Sequence, residues 1–178
     1  MTAAWQAEIV DFWFGLEPER WFEADPALDQ AIRERFEALW AAQRQCPAET
    51  FLNTAEDAFA AVVLFDQMPR NMFRGHADAF ATDPLALAVA KGAVERGFDD
   101  ALAPQRRGIL YMPFQHSEVL ADQQRSLALF TALGDAEQLR YAHLHHDVIA
   151  RFGRFPQRNA ALGRADRPEE LAGDVPRF

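Results

Sequence analysis

Apolar residues recur along this chain at helical spacing, and no run alternates in the manner of a strand. Trp5, Ile9, Phe12 and Trp13 share one helical face, and Gly15 is a stop. Asp25-Pro26 reads as an N-cap followed by proline in the first turn. Leu28, Ile32, Phe36, Leu39 and Trp40 then form an apolar stripe with charged residues opposite, and Pro47 ends the segment. A third helix is predicted from about Thr54, with Phe59, Val62, Val63 and Phe65 inward and Pro69 bending or ending it. Asp83-Pro84 repeats the cap-and-proline signal, and Gly97 closes that helix. A short helix around 105–111 is expected to lead to Pro113, and another runs from about Ser117 as N-cap to Leu133, stopping at Gly134. Asp135 and Gln138 resemble a capping box for a helix through about Phe152, which Gly153 ends. A last short helix starts near Pro168. About seven helices with short connections predict an all-α antiparallel array in one domain, residues 1–178.

The hydrophobic pattern also contains an echo. Residues 65–75 read FDQMPRNMFRG and residues 152–164 read FGRFPQRNAALGR. Each has Phe at a helix end, proline four residues on, then Arg-Asn, then a further Arg beside Gly. Chance and shared helix-end chemistry are one explanation. Two related turns facing one site are the other.

Composition narrows the classes. The 178 residues carry 49% hydrophobic and 25% charged side chains, a globular mixture. The net charge of −9 opposes binding to nucleic acid or an anionic membrane. The single cysteine, Cys46, permits no intrachain disulfide and no cysteine metal cluster. No apolar run approaches the ~18 residues of a transmembrane helix, and the start lacks the pattern of a secretory leader, so a cytoplasmic protein is expected.

Three polar groupings are candidates for chemistry. Asp66 and Arg70 are four residues apart and share a helical face, as do Arg70 and Arg74, with Asn71 between them. Arg151, Arg154, Arg158 and Arg164 crowd a stretch, 151–165, that lacks Asp and Glu. Guanidinium forks suit carboxylate or phosphate, but arginines after a helix end also cap carbonyls or pair with acids from elsewhere. His116-Ser117-Glu118 enters a helix, and His145-His146-Asp147 sits late in another. A histidine among apolar neighbours is more often a satisfied core residue than a ligand. Asp66, His116, Glu118 and His145 together suit an acid–base pair better than a metal, since no metal-binding spacing is present. No nucleophile elbow, Walker loop or dinucleotide fingerprint occurs, and no organic cofactor is evident.

The stretches IVDFWFG (9–15), VLFDQMPRNMFRG (63–75), YMPFQHSE (111–118) and RFGRFPQRNAALGR (151–164) resemble the bacterial "domain of unknown function 924" family across nearly the whole chain. The resemblance implies an all-helical fold similar to tetratricopeptide arrays and brings no activity. It marks Asp66, Gln67, Arg70, Asn71, Arg74, His116, Glu118, Gln123, His145, Arg151, Arg154, Arg158 and Asn159 as signature positions. This chain departs from the family at Gln157, where His is usual, and at Gln115, where Met is common.

The leading expectation is a pocket for a small anion, with Arg70, Arg74, Arg154 and Arg158 as binders and Asn71 and Asn159 as orienting groups. His116 or His145 would handle a proton, with Glu118 or Asp66 orienting the ring, in either a binding protein or an enzyme. Two alternatives stay open: a module that clamps an acidic peptide or terminal carboxylate, and a purely structural polar network.

Overall fold

A computed structural model describes residues 4–21, 24–172 and 175; the start of the chain, read above for a leader, lies partly outside them. The α-helices are α1 (Ala4–Phe14), α2 (Pro26–Gln43), α3 (Ala55–Val62), α4 (Met68–Met72), α5 (Asp83–Glu95), α6 (Pro104–His116), α7 (Leu120–Leu133), α8 (Ala136–Phe152) and α9 (Pro168–Leu171). A π-helical turn, Val63–Gln67, joins α3 to α4 in one rod, so the expectation of about seven helices is close. No strand is present among the described residues.

The α3 rod is central. Every residue from Ala58 to Phe65 is fully buried, so this segment is enclosed all round rather than on one stripe. It packs against α1, α5 and α6. Trp13, Phe36, Phe51 and Phe59 fill the same apolar cluster. No described helix is long and apolar enough to cross a membrane.

Local signals set several boundaries. The Asp25 carboxylate accepts from the N–H groups of Ala27 and Leu28 at 3.0 and 3.1 Å. Asp135 caps α8 in the same way, accepting from Glu137 and Gln138 at 3.0 Å each. Gly134 and Gly153 end α7 and α8 at φ of 78° and 67°, where a side chain would strain the backbone.

Four expectations are corrected. Pro69 does not end its helix: the π-turn carries the chain past it, and the Thr82 hydroxyl donates at 2.6 Å to the Phe65 carbonyl, which Pro69 cannot serve. Pro113 lies inside α6, which continues three residues further to His116. Ser117 is not the cap of α7; that position is Val119, whose N–H the Ser117 hydroxyl accepts at 3.2 Å. Asp83 is not a cap either. Thr82 holds that position, and the Asp83 side chain is turned to other partners.

Helices α6, α7 and α8 build the wall of the site. The α7 helix is tied to both neighbours by short links of a few residues. A Cβ placed on Gly108 of α6 would lie 2.2 Å from Gln138 Oε1 of α8, so the tip of the Gln138 side chain fills the space the glycine leaves. Further along, the His116 and His145 rings lie 5.9 Å apart. Two contacts in ascending order on both helices mean that α6 and α8 run in the same direction, with α7 returning between them.

Candidate functional site

Asp66 sits in the π-turn with a fully buried carboxylate. Its oxygens lie 2.8 and 2.9 Å from Nδ1 of His116, at the end of α6, and the Gln67 amide also donates to it. Burial opposes its charge, but Arg70 and His116 outweigh burial and hold the carboxyl below its usual range. The neutral His116 ring therefore carries its proton on Nδ1, toward the carboxylate, and keeps Nε2 as its basic nitrogen. Burial lowers the His116 pKa against the pull of Asp66.

Arg70 continues the cluster one helical turn beyond Asp66. It donates to the Asp66 carbonyl and approaches the Asp66 carboxylate at 3.5 Å. It also grips Asp83 at 3.1 and 3.2 Å. Asp83 receives a second guanidinium, that of Arg158, at 3.1 Å. Arg158 donates as well to the His116 carbonyl at 3.0 Å and stacks on Phe80 and Phe155 with its carbon 4.6 and 4.5 Å from the ring centroids. Burial and the nearby Arg70 charge lower its pKa to about 10. His145 Nδ1 donates to the Tyr141 carbonyl at 2.8 Å, since a carbonyl only accepts, and so bears the ring proton. Burial, then His116, pushes its pKa down to about 3.

The echo seen in the sequence thus becomes a convergence. Arg70 and Arg158, the arginines of the two Arg-Asn pairs, meet on Asp83. Their neighbouring asparagines turn away to other carboxylates: Asn71 to Asp29 at 2.8 Å, and Asn159 to Asp166 and Glu170 at 2.9 and 3.0 Å. The later arginines do likewise. Arg74 forks onto Asp29 at 2.7 and 2.9 Å, and Arg164 forks onto Glu118 at 2.8 and 3.0 Å.

A cleft of about 1440 Å³ opens beside these groups. Arg70, Asn71, Arg74, His116, His145 and Arg158 line it, together with Gln67, Gln115 and Gln157. Of the remaining candidates, Asp66 stands behind His116, while Glu118, Arg154 and Asn159 do not reach the lining. Those three belong to a second network. Arg154 forks onto Glu170 at 2.6 and 2.8 Å, and Glu118 also accepts the Phe155 N–H at 2.7 Å. Sequence reasoning placed Arg154 and Asn159 with the binding group and Glu118 with the histidines; in the structure Arg154 and Asn159 join the last turn to α9 through Glu170, and Glu118 ties that turn to the α6–α7 corner. Gln123 serves that corner too, donating to the Gln115 and Ser117 carbonyls at 2.7 Å each. Arg151 is exposed and rests over Phe152. Among the described residues no group of three or more His, Cys, Asp or Glu side chains is arranged to hold a metal ion.

Sequence reasoning missed Asp83 and Phe80. The Asp-Pro signal pointed to Asp83 but also supplied a sufficient local explanation for it. Phe80 carried no signal, because its role as a plate under Arg158 depends on two distant segments meeting.

Fold and site together define an all-helical protein whose arginine- and histidine-lined cleft lies between the π-turn and the α6–α8 layer. Residues 9–173 match the model of a family described as "Bacterial protein of unknown function (DUF924)", and the chain belongs to that family. It is similar to a solved structure, the protein of unknown function ATU0120 from Agrobacterium tumefaciens, at 43% identity and a TM-score of 0.88, over 96% of this chain and 97% of that one. No curated protein matches it.

Proposed function

We propose that the cleft binds a small molecule through a carboxylate or phosphate group held by Arg70 and Arg158, with His116 exchanging a proton with that ligand. One observation carries this reading. Arg70, Arg74 and Arg158 line the cleft, whereas their carboxylate partners Asp66, Asp83 and Asp29 do not. At the histidine end of the cleft the charged side chains of the lining are therefore guanidiniums, while Asp135 and Glu137 line it at the far end, beside the start of α8. Planar guanidiniums fixed by stacking and by paired acids are preorganised donors for an anion.

The charge balance adds a consequence. Two carboxylates offset two guanidiniums, and both histidines lean neutral, so an entering anion makes the site negative. A negative guest raises the proton affinity of His116, whose Nδ1 is already committed to Asp66. Binding therefore takes up a proton, and the same ring then serves as a general acid or base. The Arg154–Glu118 network we assign to stability.

Titration calorimetry with inorganic phosphate and with small carboxylates, run in two buffers of different ionisation heat, tests the reading. The expected result is saturable binding with proton uptake that Arg158→Ala removes and Arg154→Ala retains. Absence of binding by every phosphate and carboxylate to the wild-type protein would sink it.

A further inference from the structure

The lining of the cleft changes character along its length. On α6 the lining residues Gln105, Ile109, Met112 and His116 are spaced four, three and four apart, a single helical face. At a rise of 1.5 Å per residue, Ile109 lies ~10 Å along the axis from His116. On α8, Tyr141 and Leu144 precede His145 on the matching face, and Leu133 at the end of α7 completes an apolar stretch that ends where Gln105, Asp135, Glu137 and Gln138 close the cleft with polar groups, Arg140 lying beside it. Met112, Leu133 and Leu144 are half-buried and Tyr141 is 37% exposed, so this trough is still wetted by solvent. The parallel course of α6 and α8 places all of it on one side of the histidine pair.

We infer that the ligand is an anion with an apolar body about 10 Å long, of the class of medium-chain or aryl-alkyl carboxylates. Its head meets Arg70 and Arg158, and its body lies along Ile109, Met112, Leu133 and Leu144. The inference rests on the anion reading given above and adds the chemistry of the remainder of the molecule. Charge at one end and apolar side chains along the rest set the orientation: a hydrocarbon body beside Arg70 and Arg158 would strip water from the guanidiniums without replacing their hydrogen bonds. Laid along the trough, the same body covers half-buried apolar side chains that now face water.

Calorimetric titration of the wild-type protein with acetate, butanoate, hexanoate and octanoate tests this, with 1-hexanol as the uncharged counterpart of hexanoate. Full burial of each added methylene tightens binding about fourfold. The expected result is a gain of at least about tenfold from acetate to hexanoate, with hexanol much weaker. In Met112→Gln and Leu144→Gln, uncharged exchanges at half-buried side chains, the gain with chain length should collapse while acetate binding is kept. Equal affinity for acetate and octanoate, abolished by Arg158→Ala, would overturn the apolar body and leave the anion reading standing. Hexanol binding as tightly as hexanoate would overturn the anionic head. Binding by none of the acids, nor by inorganic phosphate, would overturn both.

Discussion

Two clusters of arginine and acid lie side by side in this protein and solve the same electrostatic problem differently. In the C-terminal network each guanidinium has its own carboxylate in a two-pronged grip: Arg154 with Glu170 and Arg164 with Glu118. At the cleft, Arg70 and Arg158 share Asp83, and Asp66 is shared between His116 and Arg70. The first arrangement leaves little for a guest to do and fastens the last turn to α9 and to the α6–α7 corner. The second leaves guanidiniums in the lining of the cleft while the acids that pair with them stay out of it. Composition is nearly the same in both; stoichiometry and facing separate a clasp from a receptor.

The contrast can be broken most forcefully at Glu118. Glu118→Ala strands the half-buried Arg164 guanidinium and the Phe155 N–H together, and a loss of about 2–3 kcal/mol in urea unfolding is expected. Ligand binding at the cleft should be unchanged in the folded fraction. A variant with native stability would show that the clasp holds nothing.

The next effect belongs to the cleft and depends on pH. His145 has a folded pKa of about 3, below its ordinary value of 6.5. As pH falls the unfolded chain takes the proton first, so this group's contribution is complete above about 6.5 and is lost progressively toward about 3. Stability should fall by about 2 kcal/mol between roughly pH 7.5 and 5 from this group. His145→Gln should flatten that part of the profile, as read from denaturant midpoints at both pH values; an unaltered slope contradicts it.

Arg158→Ala sharpens the comparison from the other side. Asp83 keeps Arg70, so folding survives, while carboxylate binding should be lost from the titration, a drop of at least about tenfold or 1.4 kcal/mol. The matching change at Arg154 should leave affinity intact. The smallest effect is expected at Arg74, whose side chain is 46% exposed beside Asp29. Arg74→Ala should cost less than about 1 kcal/mol in stability. A larger loss would put this outer arginine with the clasp rather than on the rim.

Much of the fold was legible because its signals are local. Asp25 and Asp135 cap the helices they precede, and Gly134 and Gly153 stop theirs, since each signal acts within one turn of chain. The prolines misled for the same reason. A proline denies one carbonyl its partner, but whether the helix breaks depends on what else can serve that carbonyl, and Thr82 lies 17 residues away. At the site, the repeated Arg-Asn turns were visible as a pattern, yet which arginine faced a cleft and which met an acid was not. Arg154 and Arg158 are separated by one helical turn's worth of chain and end on different carboxylates, Glu170 and Asp83.

What the order of residues decided alone is helicity, its punctuation and the family to which the chain belongs, because periodicity and caps operate over a few neighbours. Tertiary structure decided that Asp83 is the acid between the two turns, and that Asp66 rather than Glu118 holds the His116 ring. Charge pairing in a folded chain is a choice among partners brought within a few ångströms by packing, and that choice has no short-range signature to read.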